Sequence, residues 1–365
     1  MIVFVDRIGE HSGMHNYIEA FIYQFEKRKY KTSVISNYPE GNSILKNYYK
    51  GSLFRRLFCF VYSYLLYIYN LIKNRKNYFI ISFYGEIQDV LFIFPFLLFK
   101  KNKVIIDVHE VVGLDINNRI LRRIIYFLIN YVAGTAIYHS KRIREKLDEV
   151  EYKGDVIYCP HLKYLYSKEY DIKNIKNEII NLIDNRKVNF LFFGNIRDSK
   201  GIDLLFEVLS KLDKKYIQES NFIIAGKDPD DLLSRFPKMG NVKLLTRHIT
   251  DEESNFLYSK TNYVLLPYNE ISQSGVLETA IYFKKLSICS NLEYFQNIIF
   301  NFKSFGFIFN SSEEFIKIIQ KLCVESIYTI KENDYNQYMQ DDAVDTFFHQ
   351  ISKKIKNEIS NNYYL

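Results

Sequence analysis

The stretch YNEISQSGVLETA, residues 268–280, sets Glu270 and Glu278 on either side of a Ser274-Gly275 corner, with seven residues between them. It lies between a strand-like run at 263–267 and an amphipathic helical pattern. Carboxylates favour the positive end of a helix dipole, so the pair can be plain decoration of a helix N-terminus. The stretch alone leaves that reading and a ligand-binding one open.

A second stretch with chemical content, GNIRDSKGIDLL, starts at Gly194 directly after the apolar run 189–193. Gly194 lets the backbone turn, and Arg197 and Lys200 then project two cations just before a helix that begins at about Gly201. Cations beside a helix N-terminus make an anion site suited to phosphate. The loop is not GxxxxGK[ST], and no GxGxxG follows any strand candidate, so nucleotide hydrolysis and dinucleotide redox chemistry lose support. His109 in IIDVHE follows another strand candidate beside Glu110, and His11 and His15 flank Gly13 in EHSGMHNY. Histidines in such loops are often structural; His109 is the strongest candidate of the three.

These residues need elements to hold them, and the chain supplies many. With 365 residues, 48% of them apolar, it can build a large core divided between two domains. Strand candidates at 2–5, 32–35, 79–83, 104–108, 135–138 and 156–158 alternate with helical patterns. A second series follows at 189–193, 222–225, 242–245, 263–266, 286–290 and 306–309. Alternation of this kind predicts an α/β protein with two parallel sheets covered on both faces. Residues 162–187 predict the join, with a short helix, and 341–365 a closing helix. Ligands of such sheets bind just beyond the carboxyl ends of strands, where the residues named above fall.

The net charge of +7 is uneven: residues 1–165 hold 24 Lys and Arg against 15 Asp and Glu, and the remainder 25 against 27. The first half therefore expects an anionic partner. No nucleic-acid-binding motif is present, which leaves an anionic membrane surface as the partner and argues against nucleic acid. The segment 57–72, LFCFVYSYLLYIYNLI, is flanked by Arg55, Arg56, Lys73, Arg75 and Lys76. At 16 residues it falls short of a membrane-spanning helix. It predicts either a helix packed on the first sheet or one lying in the lipid interface, and the two are compatible. Four scattered cysteines without a CxxC pair predict reduced thiols in the cytoplasm. Cys159 has His161 nearby but no second pair, so structural zinc is not expected. The opening MIVFVDRIG lacks a basic-then-apolar leader and predicts no secretory signal.

Taken in order, the second-half segments resemble the nucleotide-sugar-binding domain of GT-B glycosyltransferases, most closely glycosyltransferase family 4. FFGNIRDSKGIDLL resembles that family's G-x-x-x-x-x-K-G segment, FIIAGKD its next strand, DEESNFLYSKTNYVLLPY the helix and strand before the donor pocket, and Glu270 to Glu278 its E-x7-E. The match spans most of 187–360, whereas the first half matches in outline through Gly13 and His109. The resemblance implies a GT-B fold, two Rossmann-like doubly wound domains facing across a cleft. It places an acceptor-side domain at 1–165, a donor-binding domain at 166–340, and a C-terminal helix returning to the first domain.

It also implies roles. Glu278 would accept hydrogen bonds from ribose hydroxyls and Glu270 from the donor sugar, while Gly13, Gly194, Arg197, Lys200, Ser274, Gly275 and Val276 would complete the donor site. Helix N–H groups at the Ser274 corner suit a diphosphate, and Gly275 admits close approach. Catalysis would fall to His109, Glu270 and Lys200, with retention of anomeric configuration. The donor would be a UDP- or GDP-sugar, with no metal or other cofactor required, and the acceptor a glycan or lipid-linked glycan. Two departures stand out: Gly194-Asn195 replaces the frequent Gly-Arg, which favours Lys200 over Arg197 for phosphate contact, and QSGVLE replaces the commoner Gly-Phe-Gly corner.

Other classes have weaker signals. Asp228-Pro229-Asp230 spells the DxD of metal-dependent GT-A transferases, but it follows a polar Ala-Gly turn. A nucleotide-sugar epimerase of related fold and a noncatalytic nucleotide-sugar-binding protein remain the alternatives. A phosphorylase would want a pyridoxal-phosphate lysine site, for which no specific sequence is found. The leading expectation is a cytoplasmic, peripherally membrane-associated transferase of surface polysaccharide synthesis.

Overall fold

A computed structural model describes residues 1–7, 14–36, 52–111, 119–160, 162, 169–271, 273–325, 327–340 and 342–361; at 14, 15, 342 and 356–361 only the backbone is described. The chain divides into two compact units, one of Met1–Leu165 with Asp341–Leu365 and one of Tyr166–Gln340.

In the first unit the strands are β1 (Ile2–Asp6), β2 (Thr32–Ser36), β3 (Tyr78–Phe83), β4 (Val104–Val108), β5 (Thr135–Tyr138) and β6 (Asp155–Tyr158). They pair in parallel in the order β2-β1-β3-β4-β5-β6. The helices are α1 (Met14–Lys27), α2 (Leu53–Lys73), α3 (Ile87–Ile93) continued by a 3-10 turn (Phe94–Leu98), α4 (Arg119–Val132) and α5 (Lys141–Glu149). Because β-α-β crossovers are right-handed, α1, leading from β1 to β2, must cover the face opposite to α2 through α5, which lead the other way. The packing agrees. Val3 and Val5 share a core with Tyr67, Ile93, Ile125 and Ile143. Phe4, on the other side of the pleat, meets Phe21 and Phe25 of α1, which in turn meet Phe348 of the C-terminal helix.

The helix expected over 57–72 runs from Leu53 to Lys73, 21 residues, longer than the apolar run. Arg and Lys are good helix formers, so the flanking cations extend it rather than end it. Its buried side, Ser63, Tyr67 and Leu71, packs toward the sheet. Among the described residues, no helix is long and apolar enough to cross a membrane.

The second unit repeats the plan with β7 (Val188–Phe193), β8 (Ser220–Ala225), β9 (Val242–Leu245), β10 (Tyr263–Leu266), β11 (Leu286–Ser290) and β12 (Gly306–Phe309). Their order is β12-β11-β10-β7-β8-β9, all parallel. The helices are α6 (Asn177–Ile180), α7 (Ile202–Lys211), α8 (Lys214–Glu219), α9 (Asp251–Lys260), α10 (Gly275–Tyr282), α11 (Glu293–Ile299), α12 (Ser312–Val324) and α13 (Glu332–Met339); α14 (Asp342–Asn361) belongs to the first unit. In this sheet the chain leaves β7 toward β8 and β9, then returns to place β10 on the other side of β7. The loops after β7 and β10 therefore flank the point where strand order reverses, the place where doubly wound sheets open to ligands.

Candidate active site

Both loops at that point carry the residues singled out by sequence. The β7 loop begins at Gly194, whose φ of +95° belongs to glycine and whose N–H donates to the Ala225 carbonyl at 2.9 Å. A Cβ at Gly194 would lie 2.7 Å from the Lys200 ammonium and 3.8 Å from Cγ2 of Val276. Gly194, Lys200 and Val276 thus meet at one spot, although Val276 lies in the first turn of α10.

Lys200 ends a 3-10 turn, Asp198–Lys200. Its Nζ donates to the Phe193 carbonyl at 3.2 Å and stands 5.5 Å from the centre of the Tyr268 ring. Burial, with repulsion from Arg197 adding to it, pulls the Lys200 pKa down to about 8. Arg197 itself is exposed.

The two loops are stitched together. Asn269 N–H donates to the Ser199 carbonyl at 2.9 Å, and its side-chain amide donates to the Asp198 carbonyl at 2.8 Å. Gly201, at φ +68°, lies so close to Pro267 that a Cβ there would sit 1.8 Å from the Pro267 oxygen. This places Glu270, half-buried, next to the Lys200 turn. Ser274 caps α10, its Oγ accepting from the Leu277 N–H at 3.1 Å. The N–H groups of Gly275 and Val276, in the first turn of that helix, have no intrahelical carbonyl to bond, and they supply the positive end of its dipole.

Glu278 is different in kind, for it is 4% exposed. Its Oε1 accepts from the Tyr338 hydroxyl at 2.6 Å and the Tyr294 hydroxyl at 3.2 Å. The Tyr338 ring is held edge-on by Phe302 and Phe305. Nothing in the local sequence marks Tyr338 or Tyr294, and both come from helices that follow the motif.

In the first unit, His109 follows β4 and its ring lies flat against Tyr84, centres 5.1 Å apart. Asp107, one residue from the end of β4 and 1% exposed, places Oδ2 3.4 Å from His109 Nε2 and Oδ1 2.7 Å from His139 Nε2. His139 Nδ1 donates to the Cys159 carbonyl at 2.9 Å, and the Tyr17 hydroxyl stands 3.1 Å from His139 Nε2. Burial alone would raise the Asp107 pKa; His139 and His109 more than offset it and hold the carboxylate well below its usual range. The ligand-type atoms of Asp107, His109 and His139 lie within 4.8 Å of one another, the one such group found among the described residues. The two imidazoles are nearly parallel, at 17°, with His139 hydrogen-bonded to one carboxylate oxygen and His109 at ion-pair distance from the other. Sequence reading passed over this cluster, although an aspartate inside an otherwise apolar buried strand was its available signal.

Gly13, with His11, lies outside the described residues, as does His161; His15 falls in α1 where only the backbone is described. Cys159 is buried and its Sγ donates to the Pro160 carbonyl at 3.3 Å. In the DxD spelling, both oxygens of Asp228 accept backbone N–H groups, from Leu232 and Leu233 at 2.9 Å each, so this carboxylate caps a turn.

No family model matches the chain, and no curated protein matches it in sequence. Solved structures do match in shape over nearly the whole length. HepE of Anabaena, solved with UDP and glucose, superposes with a TM-score of 0.64 at 14% identity, over 98% of this chain and 99% of its own. WaaG, a glycosyltransferase involved in lipopolysaccharide biosynthesis, gives 0.64 at 12% identity, over 96% and 98%. Sucrose-phosphate synthase from Thermosynechococcus elongatus gives 0.63 at 13% identity, over 100% and 98%. At these identities the likeness concerns the fold, which is GT-B.

Proposed function

We propose that the protein is a retaining glycosyltransferase that moves a sugar from a UDP- or GDP-linked donor to a glycan or lipid-linked acceptor in surface polysaccharide synthesis. One observation carries the reading: Gly194, Lys200 and the first turn of α10 converge at the strand-order reversal of the second sheet, and the loop that carries Glu270 is bonded to the Lys200 turn. An ammonium beside two helix N–H groups is a cradle for a diphosphate. Two proteins of the same fold, HepE with UDP and WaaG the glycosyltransferase, lend support by analogy.

In this reading the bond from the anomeric carbon to the donor phosphate breaks as the bond to the acceptor oxygen forms. The electron pair leaves on the nucleoside diphosphate, where Lys200 and the N–H groups of Gly275 and Val276 stabilise it, with Arg197 at the rim. A donor phosphate oxygen takes the acceptor hydroxyl proton on the same face. Glu278, held in place by its tyrosines, receives the ribose hydroxyls, and Glu270 the hydroxyls of the sugar. His109 serves as hydrogen-bond partner or proton carrier for the transferred sugar, a role that rests on the family resemblance. None of these steps requires a metal.

A panel of UDP- and GDP-sugars, followed by mass spectrometry with and without glycan acceptors, tests the proposal. A transferase releases nucleoside diphosphate and adds the sugar mass to an acceptor. Conversion of one nucleotide sugar into another without release points to an epimerase, and binding without any product points to a noncatalytic protein.

A further inference from the structure

Residues 53–131 carry 17 of the 25 exposed large apolar side chains among the described residues. Single exposed apolar residues are ordinary on protein surfaces, but a cluster of this size marks an interaction face. The cluster also follows the architecture. Helices α2, α3 and α4 and the turn Phe94–Leu98 lie side by side on one face of the first sheet, and their inner sides fill its core. α2 is tied to α3 by the Tyr64 and Tyr67 hydroxyls, which donate to the carbonyls of Leu91 and Phe92 at 2.8 and 2.6 Å. α3 and the turn pack on α4.

The outer sides of these elements do not become polar as solvent-facing helices do. Along α4, Ile120, Ile124, Phe127 and Tyr131 form a stripe at helical spacing, and all are exposed. Phe54 on α2 is 86% exposed and Leu98 in the turn 90%. The stripe on α4 is invisible to a search for long apolar runs because arginines interrupt it.

The charge on the two long helices of this layer, α2 and α4, has one sign, whereas the acidic Glu86 and Asp89 at the start of α3 are paired with Arg7. α2 and α4 contain Arg55, Arg56, Lys73, Arg119, Arg122 and Arg123 and no Asp or Glu, and all six cations are exposed. Five of the six lie near helix N-termini, where the dipole disfavours a cation. Such placement opposes helix stability and makes sense toward an external anion. A second copy of the chain would bring these cations against one another.

We propose that α2, the turn Phe94–Leu98 and α4 together seat the protein on an anionic lipid bilayer, the apolar stripes entering the acyl boundary and the arginines meeting lipid phosphates. No described helix is both long and apolar enough to cross, so the proposed seat of this layer is within the interface. This deepens the membrane-associated reading of the function and rests on it only for the location of the acceptor.

The test is co-sedimentation of the full chain with vesicles of phosphatidylglycerol and phosphatidylcholine, against phosphatidylcholine alone, at low and high salt. Wild-type protein is expected on the anionic vesicles, less so at high salt. The decisive variants lie on α4: Arg119→Gln with Arg122→Gln and Arg123→Gln should weaken partition by about tenfold or more, and Ile120→Ser with Ile124→Ser and Phe127→Ser should remove the binding that survives high salt. Circular dichroism establishes that each variant is folded. Equal partition onto neutral and anionic vesicles overturns the proposal, as does wild-type partition by the folded α4 variants. A dimer in sedimentation velocity that the same variants abolish also overturns it, assigning the face to a second copy. Nucleoside-diphosphate binding, measured without vesicles, separates the two readings: its loss with vesicle binding intact counts against the transferase site alone, and the converse against this surface alone.

Discussion

The hydroxyl of Tyr338 donates to Oε1 of Glu278 at 2.6 Å, joining two residues sixty positions apart in the chain. Glu278 is buried, and a buried carboxylate needs partners to remain an acceptor. Tyr338 and Tyr294 therefore fix the direction in which Glu278 can offer its remaining capacity to a ligand.

Glu278→Ala should weaken nucleoside-diphosphate binding tenfold or more, since a hydrogen bond to a charged group is worth about 1.5–3 kcal/mol. Tyr338→Phe keeps the ring between Phe302 and Phe305 and leaves Tyr294 in place, so its effect should be smaller, about threefold to tenfold. Isothermal titration with UDP and GDP measures both; a folded Glu278→Ala protein with unchanged affinity would falsify the ribose assignment.

Lys200→Ala should depress turnover more than nucleotide binding, because the charge matters most as the diphosphate departs. Its pKa of about 8 in the ligand-free protein lies below the ordinary lysine value, so the cation is lost as pH rises through about 8. kcat/KM should therefore fall across that interval, and Lys200→Arg, whose charge persists, should lack that fall. A flat wild-type profile from pH 7 to 9 would remove Lys200 from the phosphate site.

Gly201→Ala tests the stitch between the loops. A methyl group there would collide with the Pro267 oxygen at 1.8 Å and would also hold an unfavourable positive φ. Strain of about 1–3 kcal/mol is expected, along with weakened nucleotide binding as the Lys200 and Glu270 loops separate. Urea unfolding and titration check it; wild-type values in both would mean that the junction is not rigid.

Asp107→Asn should destabilise the first unit by about 3–5 kcal/mol at neutral pH, because it leaves His139 and His109 without the buried carboxylate. The sign of the pH dependence follows from the lowered Asp107 pKa. The carboxylate's contribution is complete above the unfolded value, near 4, and is lost as pH falls below it toward the folded value. The gap between variant and wild type in urea unfolding should thus be widest near neutrality and narrow in acid. A constant gap would point to packing alone.

What the sequence determined by itself is local in origin. Each strand of both sheets is built around apolar, mostly β-forming residues, and its position along the chain follows from them and the flanking loops. The observed strands match the expected ones to within two residues at either end. The same local logic placed Gly194, Lys200, Glu270 and Glu278 after strands and at a helix start. Tertiary structure alone decided which strand ends are neighbours. Lys200 and Glu270 lie seventy residues apart, and only the parallel pairing of β10 with β7 brings their loops together. Tyr338, Tyr294 and the Asp107–His139 pair entered by the same route: a tyrosine or histidine carries no local sign of the carboxylate it will meet, because that partner is chosen by the packing of distant elements. The outer stripe of α4 belongs here too, since a helix shows which side it exposes only when the sheet has claimed the other.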